Sequence, residues 1–246
     1  MRIVIVDESV SPEVTEETLT KIAQAIEHQL YQHYGPFWQM DGVPVRFLDS
    51  IGEAKESDCP LIIFDNPDQP GVLGYHSVTP NGLAYGKAFY DVIRRQFMEG
   101  PVNESNTLSV TLSHEALEMV GDPYTNCWVD CSFDEEEAFE ICDRVEGDSY
   151  KIDIDGTPIS VSNFLGPRAF RDGIGPYDYM GLLSSPWEIR PYGYVIRRKG
   201  GPSGVVSSHF GHAYPEAKQL LKISHGRALQ KRASRLEILS DESKDS

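Results

Sequence analysis

The chain has 246 residues, 40% of them hydrophobic and 24% charged, which is enough apolar material for one large globular core or two small ones. Its 38 acids outnumber 22 bases, for a formal charge of -16. That surplus argues against a nucleic-acid backbone or an anionic membrane as partner, because both require Lys/Arg-rich surfaces; it suits cation binding or simple solubility.

"RIVIVD" opens the chain with a β-branched run and reads as a strand rather than a signal peptide, whose apolar stretch would be longer. No apolar run approaches the ~18 residues of a membrane span, so a soluble, cytoplasmic protein is expected. A helix is predicted over residues 11–34, with Ser11 as cap, Pro12 in the first turn and Gly35 as the stop. Leu19, Ile22, Ile26 and Leu30 share one face of it. "VPVRFL", "CPLIIFD", "VLGYHS" and "LAYGKAFYDVI" are predicted strands, with "NPDQPG" and "TPNG" as turns.

A second helix should start near Asn106 or Thr107, capped by Ser105 or Asn106, and end at Gly121 and Pro123. Beyond it, "YTNCWVDCSFDEEEAFEICDRVEGD" reads as an acidic, irregular stretch. "YKIDIDGTPISVSNF" reads as a hairpin turning at Asp155-Gly156, both of which tolerate positive φ. "YGYVIRR" and "GVVSSHF" form a second hairpin around "KGGPSG", and "EILSDESKDS" is a polar tail.

The second helix carries "VTLSHEALEMVGDPY". His114 and Glu118 are one turn apart and project from the same face, so both can reach one cation. Glu115 is offset by about 100°; in zinc peptidases this neighbouring position holds the carboxylate that activates water on the metal. The competing reading is a solvated helix face. Against it, the helix is otherwise apolar, and an unpaired carboxylate there would be costly without a neutralising ion.

Catalytic zinc takes three protein ligands. Asp122 lies where the helix is ending, and Tyr124 stands where the longer HExxHxxGxxH pattern has its third histidine. Glu140 and Asp143 in "FEICDRVEG" are better placed to return from a separate segment. His76, His209 and His212 are further candidates for metal or oxyanion binding, although single histidines at strand ends are more often structural. Tyr124, Tyr150 and Tyr177 are equivalent candidates for an oxyanion donor. The run Asp134 to Glu137 lacks the alternating ligands of a calcium loop and reads as solvated surface. Cys59, Cys127, Cys131 and Cys142 lack the paired spacing of a four-thiolate zinc site and are expected to be inert thiols. Ser113 is not a nucleophile partnered by His114, because adjacent helical residues point in different directions.

"SHEALEMVGDP", "FEICDRVEGDSY" and "IDGTPISVSNFLGPRAF", in that order, together with the preceding "GVLGYHSVTPNGLAYGKAFYD", resemble a group of zincin-like metallopeptidase homologues. The likeness spans roughly residues 60 to 195. It implies an α+β, zincin-like fold: a mixed β-sheet, an active-site helix and a C-terminal irregular/β subdomain. Residues 1–236 would form one domain, with 1–123 supplying the sheet and helix, 124–236 completing the site, and 237–246 a disordered tail.

The resemblance further implies one zinc ion, or another divalent metal, held by His114 and Glu118, with Asp143 ahead of Glu140 as the completing acid and Glu115 as general base. "GVLGYH" or "LAYGKAFYD" would be the edge strand beside which a peptide or protein substrate docks. Glu118, in place of a second histidine, makes the shell more anionic. Met180 would correspond to a methionine beneath the metal, or else to an ordinary core residue. The alternative function is a non-catalytic metal-binding structural or virion-associated protein. Oligomeric state is left open.

Overall fold

The structure is a computed structural model that describes residues 1–11, 13–69, 72–99 (backbone only from 96) and 107–212. The expected Pro12 turn, the Ser105 and Asn106 caps and the polar tail lie outside these residues.

Strand β1 (Ile3–Asp7) is central, and Ile3, Val4, Ile5 and Val6 are all inaccessible to solvent, as befits a strand covered on both faces. Parallel neighbours flank it: β2 (Val45–Leu48) on one side and β3 (Cys59–Phe64) on the other. β5 (Ala84–Phe89) adds in parallel to β3, and β4 (Gly74–Val78) closes the sheet antiparallel to β5. The order is therefore β2-β1-β3-β5-β4. Of the two expected edge-strand candidates, β4 is the edge and β5 is interior.

Helix α1 (Glu16–His28) is capped by Thr15, whose hydroxyl accepts from Thr18 N–H, and buries Leu19, Ile22 and Ile26. The expected stop at Gly35 is not one. A π-helical stretch (Gln29–Tyr34) runs into a further turn, α2 (Gly35–Trp38), and Gln39 at φ 57° ends the helical run. Gly35 is instead required by crowding, since a Cβ there would sit 2.9 Å from the Met40 carbonyl. The predicted strand "LAYGKAFYDVI" is cut short at Phe89, where α3 (Tyr90–Glu99) begins.

Helix α4 (Leu108–Gly121) starts at Thr107, whose side chain accepts from Val110 N–H, and packs on β4 and β5. Its other neighbour is β9 (Thr157–Ser162), the return strand of the hairpin begun by β8 (Ser149–Ile154). That hairpin turns at Asp155 and Gly156, both at positive φ, as the sequence reading expected. Ser113 is fully buried and accepts a 2.6 Å hydrogen bond from Ser162 N–H, so it fastens helix to hairpin. Behind the hairpin, Asn163 donates to Asp178 at 2.8 Å and accepts from Phe164 and Met180 N–H, making "SNF" a buried polar corner. Met180 is itself exposed and so is not a core residue.

The acidic stretch expected to be irregular forms β6 (Trp128–Ser132) and β7 (Glu135–Ala138), which join the predicted hairpin β10 (Tyr194–Lys199) and β11 (Val205–Phe210) in a second, antiparallel sheet. The expectation failed because "DEEE" has a basic partner remote in sequence. Glu137, Glu136 and Glu135 stand opposite Arg197, Arg198 and Lys199 in register, and Arg198 grips Glu136 with two hydrogen bonds of 2.7 and 2.8 Å. Glu137 is buried and accepts at 2.6 Å from Arg144, which is also wholly buried and lies 4.9 Å from the ring centres of Phe170 and Trp187. This pair anchors the segment that carries Asp143. Glu137→Ala is expected to cost about 3–5 kcal/mol, because it strands a buried guanidinium. Urea denaturation would show this, and an unchanged midpoint would contradict it.

Candidate metal centre

Burial of α4 on three sides leaves His114 partly accessible and Glu115 and Glu118 buried beneath β4. His114 Nε2 lies 3.2 Å from Glu118 Oε1 and 3.4 Å from Asp143 Oδ1. One donor atom from each of the three falls within 4.8 Å of the others. Asp143 arrives on a short 3-10 turn, Asp143–Val145, whose Arg144 is held as described. Cys142 N–H, one residue earlier, donates to Glu118 Oε1 at 3.4 Å and so orients that carboxylate.

His76, from β4, belongs to the same cleft. Its Nδ1 is 3.4 Å from Glu118 Oε2 and 3.8 Å from Glu115 Oε2, while its Nε2 donates to the Asp122 carbonyl at 3.2 Å. Glu140 Oε2 is 3.9 Å from Nε2. All four anticipated metal-site residues (His114, Glu118, Glu140 and Asp143) and Glu115 thus line one opening, of about 500 Å3 including its mouth. His76 was legible only as one histidine among several; it is selected by β4 pairing beside α4, which spacing along the chain cannot reveal. Tyr194, from β10, also lines the cleft and was not singled out from the sequence.

The remaining candidates lie elsewhere. Asp122 caps the helix and accepts at 2.7 Å from Cys127 N–H through Oδ2. Tyr124 is exposed, Tyr150 bonds with Gln29 and His33, and Tyr177 donates to the Gly173 carbonyl. His209 meets Ser207 on β11, and His212 is exposed. The four cysteines are free thiols, and among the described residues none joins a group able to hold a metal.

Glu115, Glu118, Glu140 and Asp143 are four carboxylates facing two imidazoles. Burial works against a charged His114, but Glu118, Cys142 and Asp143 outweigh it and hold its pKa well above the ordinary value. Burial likewise opposes a charged His76, and Glu140, Glu115 and Glu118 reverse the balance. Burial would raise Glu118; His114 and then His76 overcome that and bring it down. Glu140 is pushed well up, first by burial and then by Glu118. Metal-free, the cluster draws in protons. A divalent cation would neutralise the same acids, with their oxygens as its ligands, and would release those protons on binding.

Two buried oxygens in the cleft, Glu115 Oε2 and Glu140 Oε2, have no hydrogen-bond partner. Buried acceptors without donors are costly, and imidazole with carboxylates is a normal set for zinc or a harder divalent ion. The residues therefore fit a cation. No family model, curated protein or solved structure matches this chain.

Gly74 explains how β4 approaches the cleft so closely. A Cβ there would meet Glu115 Oε1 and the Lys87 carbonyl at 2.8 Å and the Thr111 methyl at 2.9 Å. Gly74→Ala is expected to cost ~1–3 kcal/mol through overpacking, read as a lowered urea midpoint. Full retention of stability would contradict this close approach of strand and helix.

Proposed function

We propose that the protein is a metal-dependent hydrolase of peptide bonds, with a zincin-like site built on α4. His114, Glu118 and Asp143 hold one divalent cation, zinc or a harder substitute. When bound, such a cation polarises the scissile carbonyl and acidifies water beside it. Glu115 takes the proton from that water and delivers it to the leaving amine. Its buried Oε2 has no hydrogen-bond partner and is available for that transfer.

The substrate in this reading is an extended chain. β4 pairs on one side only among the described residues, so its other edge can receive a strand above Glu115. A carboxylate at position 118 leaves the shell more anionic than two imidazoles would. That weakens the cation's pull on water and places more of the reaction on the base. The observation that carries the proposal is the convergence of His114, Glu118 and Asp143 next to a partnerless buried glutamate, under an edge strand.

The Glu115→Gln protein should keep its metal by elemental analysis while cleavage of an unfolded protein substrate falls about 10²–10⁴-fold, the usual worth of a general base. His114→Ala should lose the metal. A wild-type protein that binds the ion yet cleaves no member of a broad peptide library contradicts the hydrolase reading. The ion would then be structural, tying residues 140–143 to α4.

A further inference from the structure

Glu118 faces two histidines with its two oxygens. Oε1 is 3.2 Å from His114 Nε2, and Oε2 is 3.4 Å from His76 Nδ1. A carboxylate that ligates a single ion directs one oxygen, or both, toward one point; here the oxygens are directed to separate imidazoles. Each imidazole has a further acid nearby. Asp143 Oδ1 is 3.4 Å from His114 Nε2, the nitrogen that faces Glu118. Glu140 Oε2 is 3.9 Å from His76 Nε2, on the ring's other side from the nitrogen that faces Glu118. Two groups of three donors result, His114–Glu118–Asp143 and His76–Glu118–Glu140, and Glu118 belongs to both.

The contacts around His76 point to a ligand of their own. Because Nε2 donates to the Asp122 carbonyl, the neutral ring presents a lone pair at Nδ1. That lone pair looks at Glu118 Oε2 and, 3.8 Å away, at Glu115 Oε2. A positive charge belongs between them: a proton on Nδ1 supplies it in the metal-free cleft, and a cation can take that proton's place. The Glu115 side chain is only 7% exposed and its Oε2 finds no hydrogen-bond donor; the buried Oε2 of Glu140 finds none either. The His114 group does not resolve these orphans, since neither glutamate belongs to it.

We propose that the cleft holds a second divalent cation, bound by His76 and Glu140 and bridged to the first through the carboxylate of Glu118. The proposal rests on the single-cation reading above and extends it to a two-metal centre. Carboxylate-bridged pairs of this kind lie about 3.5–4 Å apart and clamp both the attacking and the leaving side of a hydrolytic displacement. The shell is rich in oxygen, which suits zinc or manganese and disfavours softer ions. Glu115 would then lie beside the second cation.

The test is metal stoichiometry of the full chain, stripped with chelator and titrated with Zn2+ and, separately, with Mn2+. Two ions per chain are expected for wild type and one for both His76→Ala and Glu140→Gln. Circular dichroism is used to confirm that each variant is folded. Should His76→Ala fail to fold, Glu140→Gln and the Mn2+ spectrum still decide the matter. In that spectrum a bridged pair is spin-coupled, so the signal of an isolated ion should fade as the second equivalent binds. One ion in wild type, unaffected by the His76 and Glu140 changes, overturns the second site and leaves the first standing. One ion lost on either change also overturns the pair, by moving the single site to His76. No bound ion at all overturns both readings.

Discussion

The cleft is organised by a shortage of positive charge. Four carboxylates and two imidazoles are brought together in one largely buried cleft, and two of the acids' oxygens, Glu115 Oε2 and Glu140 Oε2, have no N–H or O–H from which to accept. In a low-dielectric setting, like charges so close would drive the segments apart unless a counter-ion or protons intervened. A bound cation would satisfy both the charge and the vacant acceptors, as the proposed function requires. The nearby architecture can then be understood as the means of holding those acids in place.

That architecture comes from three directions. α4 supplies His114, Glu115 and Glu118, and its partner on the sheet, β4, supplies His76 across a gap that only a glycine at position 74 allows. Residues 140–143 come from a third element. There the Arg144–Glu137 pair, sandwiched by Phe170 and Trp187, ties the turn to the second sheet. The Ser113–Ser162 bond and the Asn163–Asp178 corner keep the hairpin against the helix from behind. Each is a buried polar contact with little freedom, and such contacts fix geometry where apolar packing alone tolerates slippage.

Much of this was readable from residue order. The β-branched runs locate β1, β2 and β3, Asp155-Gly156 marks the hairpin, and the i, i+4 spacing alone pairs His114 with Glu118. What escaped depended on partners far along the chain. The acidic strand β7 looks like solvated loop until Arg197, Arg198 and Lys199 are set opposite it, and His76 looks ordinary until β4 is placed at the sheet's edge over α4. Gly35 was misread as a stop because glycine serves close packing as often as chain reversal. Local pattern reveals which side chains one helix presents; it does not reveal which strand will cross above them.

Anomalous diffraction from crystals grown with zinc, recorded at the metal's absorption edge, addresses the core of this account most directly. A strong peak about 2.0–2.2 Å from His114 Nε2 and from oxygens of Glu118 and Asp143 is the predicted result. Density showing these three side chains bonded directly to one another at hydrogen-bond distance, with no anomalous signal among them at saturating zinc, would contradict it.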